Sequence, residues 1–186
     1  FSNNGTGYYH NGFSVVALHS NQFMGNMNGI YCWDGSGLDM QTNTLTGSGT
    51  AAMTVNGGNP LIAYNTFAGG SGLGLALTNG MPLNPVILNN IFTRFGSNGV
   101  ASSAPVGVGY CAFWSNDTAT NNQVTATNCV FADPLFVSWP RNLHISGFSA
   151  IVGTGVNATD PGAFPADVDL RIATGSLTKP TSTFPS

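Results

Sequence analysis

Glutamate is missing from this 186-residue chain, and charge of either sign is scarce: Asp, Glu, Lys and Arg together make up 6% of residues, where roughly a quarter is usual. Lys179 is the only lysine, Arg94, Arg141 and Arg171 are the only arginines, and seven Asp carry all the acidity. A chain this poor in cations cannot neutralise a row of phosphates, which excludes a nucleic-acid binder and a polybasic membrane binder. It also lacks the Glu–Lys pairs at i,i+4 that decorate the exposed faces of soluble helices. Scarce charge is not disorder here, because 42% of residues are hydrophobic and 12 are Phe, whereas disordered chains are charge-rich and aromatic-poor. No apolar run approaches the 18 or more residues of a membrane-spanning helix. No basic start followed by an apolar stretch marks a leader segment. The three cysteines, Cys32, Cys111 and Cys129, are an odd number and so cannot be a complete disulfide set. Either Cys111 and Cys129 pair across a loop and leave Cys32 free, or all three serve as small buried hydrophobes.

What the chain has in abundance is Gly (25 residues), Asn and Thr, a composition that favours strands and turns. One phrase recurs: an apolar residue, two residues, Asn, one residue, an apolar residue. Leu18-x-x-Asn21-x-Phe23, Met40-x-x-Asn43-x-Leu45, Ile62-x-x-Asn65-x-Phe67 and Ile87-x-x-Asn90-x-Phe92 are full copies, and Thr125-x-x-Asn128-x-Val130 is a degenerate fifth. The Asn-to-Asn steps are 22, 22, 25 and 38. The third step carries a small insertion at "NGMPLNP", and the fourth holds either one coil with a large loop or nearly two coils. Tyr9 and Tyr31, also 22 apart, keep the same period. A period in the low twenties means a solenoid. Leucine is too sparse for a leucine-rich repeat and nothing between the phrases reads as helical, so each unit is a coil of three short strands. Inward apolar side chains stack on their counterparts one coil away, about 4.8 Å along the axis. Asn marks a corner between two strands, where it tolerates left-handed backbone, and stacked Asn side chains bond one another as a ladder of Asn21, Asn43, Asn65, Asn90 and Asn128.

This pattern resembles the right-handed parallel β-helix proteins of the pectin-lyase-like superfold, over residues 1 to about 136. The segment that follows is similar to the C-terminal part of many secreted members: "DPLF" at 133–136, "NLHISGFSAIVGTG" at 142–155 and "PADVDLR" at 165–171. Phe148-Ser149 stands where those members carry Ser-Pro before Ala-Ile. The resemblance implies an all-β, three-sided solenoid of five to six coils, about 22 residues each, over 1–136. A closing segment over 137–173 and a polar tail over 174–186 complete the chain. It does not imply one activity, because the superfold hosts many. The repeat register places Phe1 at the last position of a template whose Asn would precede residue 1, so upstream residues, or another chain, are expected over that end.

The resemblance to lyases and hydrolases of acidic polysaccharides directs attention to Asp, His and Arg. Those lyases gather several Asp around calcium and use Arg or Lys as base. "WDGSGLD" offers Asp34 and Asp39, five residues apart, too few oxygens for a calcium cage. His10 and Cys32 occupy stacked positions, a possible nucleophile pair without an evident orienting acid. His19 and His144 have no metal-ligand spacing. The hydrolases of that superfold carry several close Asp, a His and an Arg-x-Lys stretch, and Arg94, in "FTRFG", lacks a Lys two residues on. No catalytic residue is assigned: Asp34, Asp39 and His10 are the nearest candidates, a non-catalytic protein is the expectation, and neither a metal nor a cofactor is expected. A second set, Tyr9, Tyr31 and Trp33 on one flank with Trp114 in the long insertion, offers rings for sugar contact. The third reading is structural. With a Thr/Ser/Asn/Gly outer face and little charge repulsion, the solenoid suits a secreted or cell-surface self-associating component, a filament, sheath or surface layer. Its contacts are expected at the open first coil and the tail. The partners expected are copies of itself and extracellular polysaccharide.

Overall fold

The computed structural model describes residues 1–12 and 14–166. Three parallel sheets wind into a solenoid of about five coils. The first sheet stacks Thr6–His10, Asn28–Cys32, Ala51–Gly58, Leu73–Leu83, Asn98–Ser102 and Thr118–Thr120. The second stacks Val16–His19, Leu38–Gln41, Leu61–Ala63, Val86–Leu88, Val106–Gly109 and Val124–Thr127. The third stacks Gln22–Met24, Thr44–Ser48, Thr66–Gly70, Ile91–Phe95 and Ala112–Trp114. The "NGMPLNP" insertion produces a register shift between Thr78 and Leu83, where the first sheet pairs with Asn56 and then Gly58. The 38-residue step from Asn90 to Asn128 holds two coils, since Ile91 pairs with Ala112 and Ala112 bridges Val130.

The core is a set of columns. Phe23, Leu45, Phe67, Phe92 and Phe113 are in register down the third sheet and buried. Their rings stack, Phe67 on Phe92 at 4.7 Å and Phe92 on Phe113 at 5.4 Å. Leu45 takes the place of a ring in the second coil. Phe1 stacks on Phe23 at one end (4.9 Å) and Phe131 on Phe113 at the other (5.7 Å).

The corner between the second and third sheets explains the recurring Asn. Asn43 Oδ1 accepts from the backbone N–H of Asn21 (2.8 Å), Asn65 Oδ1 from that of Asn43 (2.9 Å), and Asn90 Oδ1 from that of Asn65 (2.9 Å). Each Nδ2 of Asn43, Asn65 and Asn90 donates to the carbonyl two residues back, those of Gln41, Ala63 and Leu88. Two sequence expectations are corrected at this corner. The left-handed residue is the one before the ladder Asn: Ser20, Thr42, Tyr64, Asn89, Tyr110 and Asn128 have φ of 53–57°. Asn128 is thus a left-handed corner residue, one position off the ladder. The ladder positions of the last two coils hold Cys111 and Cys129: the Asn90 N–H donates to Cys111 Sγ (3.5 Å) and the Cys111 N–H to Cys129 Sγ (3.4 Å). The two cysteines are stacked in successive coils, not paired across a loop, and all three thiols are free. The corner between the third and first sheets has its own left-handed column, Asn3, Gly25, Gly47, Gly69, Arg94 and Ser115.

After the last coil the chain folds back along the outer face of the third sheet. Phe136–Ser138 and Asn142–Ile145 form an antiparallel pair. Ile145, Ile151 and Ala166 pack on the outward Ile91 and Ala112. Asn89 and Thr66 pin this segment: Val156 N–H donates to Asn89 Oδ1 (2.9 Å), Gly162 N–H to Asn89 O (2.8 Å), and Ala163 N–H to Thr66 Oγ1 (2.9 Å). The expected closing segment extends past residue 166. The late Asp-Arg stretch, with Arg171, and the polar tail lie outside the described residues.

Candidate functional site

The folded-back segment covers the later coils of the third sheet, where the outward residues Ile91 and Ala112 are apolar, and overhangs the first two coils, where they are Gln22, Thr44 and Thr46. The overhang leaves a cleft of about 610 Å³ between those strands and the stretch from Pro140 to His144. Polar groups of Gln22, Thr44, Thr46, Arg141, Asn142 and His144 line it, with Met24, Leu143 and Phe164. The His144 and Phe164 rings stack at 4.7 Å. Asn142 Oδ1 accepts the His144 N–H at 3.0 Å, which sets the bend of the strand carrying both. Among the described residues, Arg141 brings the one guanidinium to the lining, and no carboxylate lines it. Arg94, the other described arginine, is held elsewhere, its guanidinium 5.2 Å from the ring centre of Trp139. No motif in the sequence points to this cleft, because the meeting of Arg141 and Phe164 with Gln22 depends on how the closing segment returns across the sheet.

The candidates Asp34, Asp39 and His10 do not converge. Asp34 is buried at the corner after the first sheet. Its Oδ1 accepts the Ser36 N–H (2.8 Å), its Oδ2 has no hydrogen-bond partner among the described residues, and its backbone carbonyl accepts from the Cys32 thiol (3.0 Å). Burial, with the Asp34 charge adding to it, pushes the Cys32 thiol up to about 11. Cys32 is thus a protonated core residue and not an activated nucleophile. His10 stacks in register on Cys32 and its Nε2 lies 2.9 Å from Gly12 O. Asp39 stands on the outer face of the second sheet, with Oδ2 3.2 Å from His19 Nε2 and Oδ1 accepting from Gln41 Nε2 at 2.9 Å. Among the described residues no group of three or more His, Cys, Asp or Glu is placed to hold a metal ion.

Of the aromatic candidates, Tyr9 and Tyr31 stack in register, ring centres 5.5 Å apart and planes within 9°. Each therefore covers a face of the other, and the pair offers ring edges sideways. Trp33 follows on the same side and is half exposed. Trp114 is not in an insertion. It ends a regular strand of the third sheet, paired with Thr93, because the residues around it form a full coil.

Among the described residues, nothing caps the C-terminal end of the coil stack. Thr118–Thr120 and Val124–Thr127 are edge strands with no further strand beyond them among the described residues. Phe131, the last ring of the column, is 62% exposed. A depression of about 230 Å³ lies beside it, lined by Phe113, Trp114, Asn116 and Ala119.

The family model described as "Right handed beta helix region" matches residues 1–150. No curated protein and no solved structure matches the chain.

Proposed function

Because the chain belongs to the right-handed β-helix family, whose coils each present a strand edge to the next, we propose that it is a non-catalytic structural protein of the cell exterior that associates with copies of itself through the end of its coil stack. The observation that carries this reading is the open end at Phe131. An apolar ring and two strand edges face outward there, and an exposed edge is a template for pairing with another chain. The usual guards against such pairing are charges at the edge; neither edge strand, Thr118–Thr120 or Val124–Thr127, contains one, and the exposed Asp117 just before Thr118 is the one charge beside them. A net charge of -3 over 186 residues gives weak long-range repulsion.

The test is light scattering after size exclusion across a concentration series, with electron microscopy of the largest species. The parent protein is expected to form oligomers or filaments that Phe131→Asp returns to single chains. Phe131 is mostly exposed, so the variant keeps the fold. A parent that stays a single chain at every concentration overturns the reading.

A second reading, a carbohydrate-binding or carbohydrate-degrading β-helix, draws support from the cleft at Arg141. Uncharged hydrogen-bonding groups, one cation and an apolar ring suit a sugar chain carrying carboxylates. Titration calorimetry with neutral and uronate oligosaccharides separates the two readings. Binding that is lost in Arg141→Ala supports the second, and heat with neither class removes it.

A further inference from the structure

We propose that Cys111 and Cys129 form a thiol–disulfide site, in which Cys129 is the residue attacked or modified first and Cys111 resolves it, so that oxidation ties the last coil to the one before it. The two residues hold successive positions of the corner ladder. Cys129 Sγ accepts the Cys111 backbone N–H at 3.4 Å, as each Asn Oδ1 does for the coil before it, and the Val130 N–H donates to Cys111 O at 2.9 Å. Adjacent strands lie about 4.8 Å apart, inside the roughly 4.4–6.8 Å that disulfides span between Cα atoms. Stacked side chains leave their strands in the same direction and not toward each other, so closure twists both. A bond made under such strain is readily reduced, which makes the site reversible.

The two thiols differ in the way the chemistry needs. Cys111 is buried, and burial raises its thiol well above the ordinary value. Cys129 is half-buried in the terminal coil. Hydrogen bonds from the Cys111 side chain, with further help from backbone groups, draw Cys129 down to about 7. Cys129 is thus the more accessible and more acidic thiol of the two, and it reacts as the thiolate once it gives up its donation to Thr127 O (3.4 Å) and Val108 O (3.7 Å). It attacks one sulfur of a small disulfide oxidant, such as oxidised glutathione, forming a mixed disulfide and releasing one thiolate. Cys111, held protonated by burial, then attacks Cys129 Sγ and passes its proton to the second departing thiolate as the bond breaks. The protein is oxidised by two electrons, and the oxidant, reduced by two electrons, ends as two thiols once each thiolate takes up a proton.

The site also lies where the ladder is weakest. Asn side chains hold the first four ladder positions with N–H and carbonyl groups, whereas a thiol is a poor donor and acceptor. A covalent link over residues 111–129 closes a whole coil at the open end of the stack.

The experiment treats the full chain with oxidised glutathione and follows mass, peptide map and amide exchange. The parent is expected to lose two hydrogens, yield a Cys111–Cys129 linked peptide, and slow exchange over Thr118–Val130 by at least about tenfold, as closure of a loop this size predicts. Dithiothreitol should reverse all three. Cys111→Ser is expected to stop at a glutathione adduct on Cys129. A parent that keeps that adduct without resolving it, or that reacts at Cys32 and not at Cys129, overturns the proposal.

Discussion

Asn43 and Asn65 are 22 residues apart in sequence and doubly joined in space: Asn65 Oδ1 accepts from both the backbone N–H (2.9 Å) and the Nδ2 (3.0 Å) of Asn43. The Asn65 amide nitrogen donates in turn to Met40 O and Ala63 O, each within 3.0 Å. One buried side chain therefore satisfies the backbone of two coils at a place where strand pairing is interrupted. Asn65→Ala leaves a buried donor and two buried acceptors with nothing to replace them. Each orphaned group costs about 1–3 kcal/mol, so a loss of roughly 3 kcal/mol or more is expected in urea unfolding. Asn21→Ala, at the more exposed first rung, should cost about 1 kcal/mol. Equal effects at the two positions would show that the ladder does not carry the corner.

The residue before each ladder Asn is left-handed, and Thr42 is the poorest choice for it in the column. Its φ is 55°, and a β-branched side chain is strained there. Asn tolerates this conformation and already occupies it at Asn89 and Asn128. Thr42→Asn is therefore expected to stabilise the fold by about 1 kcal/mol, offset in part by loss of the Ser20–Thr42 hydroxyl contact at 3.0 Å. A raised urea midpoint with an unchanged slope is the outcome that supports this.

The corner also shows what is legible in the sequence. The period, the inward Phe and Leu positions and the Asn rungs are readable because each coil repeats the same local chemistry at the same spacing. Asn128 reads wrongly as a rung because the rungs of the last two coils are Cys111 and Cys129, and Asn128 stands one position earlier, in the left-handed column that Asn89 also occupies. The cleft at Arg141 is invisible for a different reason. It is built from residues over a hundred positions apart, and its partners meet only through a segment with no repeat to reveal its register. Asp34 and Asp39 look like neighbours in sequence, but a corner separates them, sending one into the core and the other to the outer face.

Gly162 lies where the folded-back segment comes close against the coils, its N–H donating to Asn89 O at 2.8 Å. Its φ is +93°, and an added Cβ would sit 2.5 Å from Ile91 Cδ1 and 2.9 Å from Thr66 Oγ1. Backbone strain and overpacking each cost about 1–3 kcal/mol. Gly162→Ala is expected to loosen the segment over 132–166 while the coils stay formed. Limited proteolysis should then cut within that segment early, leaving a protected fragment of the coils. Uniform degradation would mean that the closing segment and the coils unfold together.

Cys32 makes stability depend on alkaline pH with a definite sign. Burial, then the charge of Asp34, raises its thiol from an ordinary 9.0 to about 11 in the folded chain. The folded value lies above the unfolded one, so the contribution is complete below pH about 9. It is lost as pH rises from about 9 through about 11, because the unfolded chain releases this proton first. The gap between the folded and unfolded values corresponds to roughly 2–3 kcal/mol. An ionised Cys32 would also lose its donation to Asp34 O and face that carbonyl instead. Cys32→Ala removes the group and should flatten the alkaline limb between pH 9 and 11, after a modest drop at neutral pH for the small void it leaves. Cys111, also pushed up by burial, keeps part of the limb in this variant. Urea midpoints of parent and variant at several pH values measure the difference directly. Parallel curves across that window would show that Cys32 does not titrate ahead of unfolding.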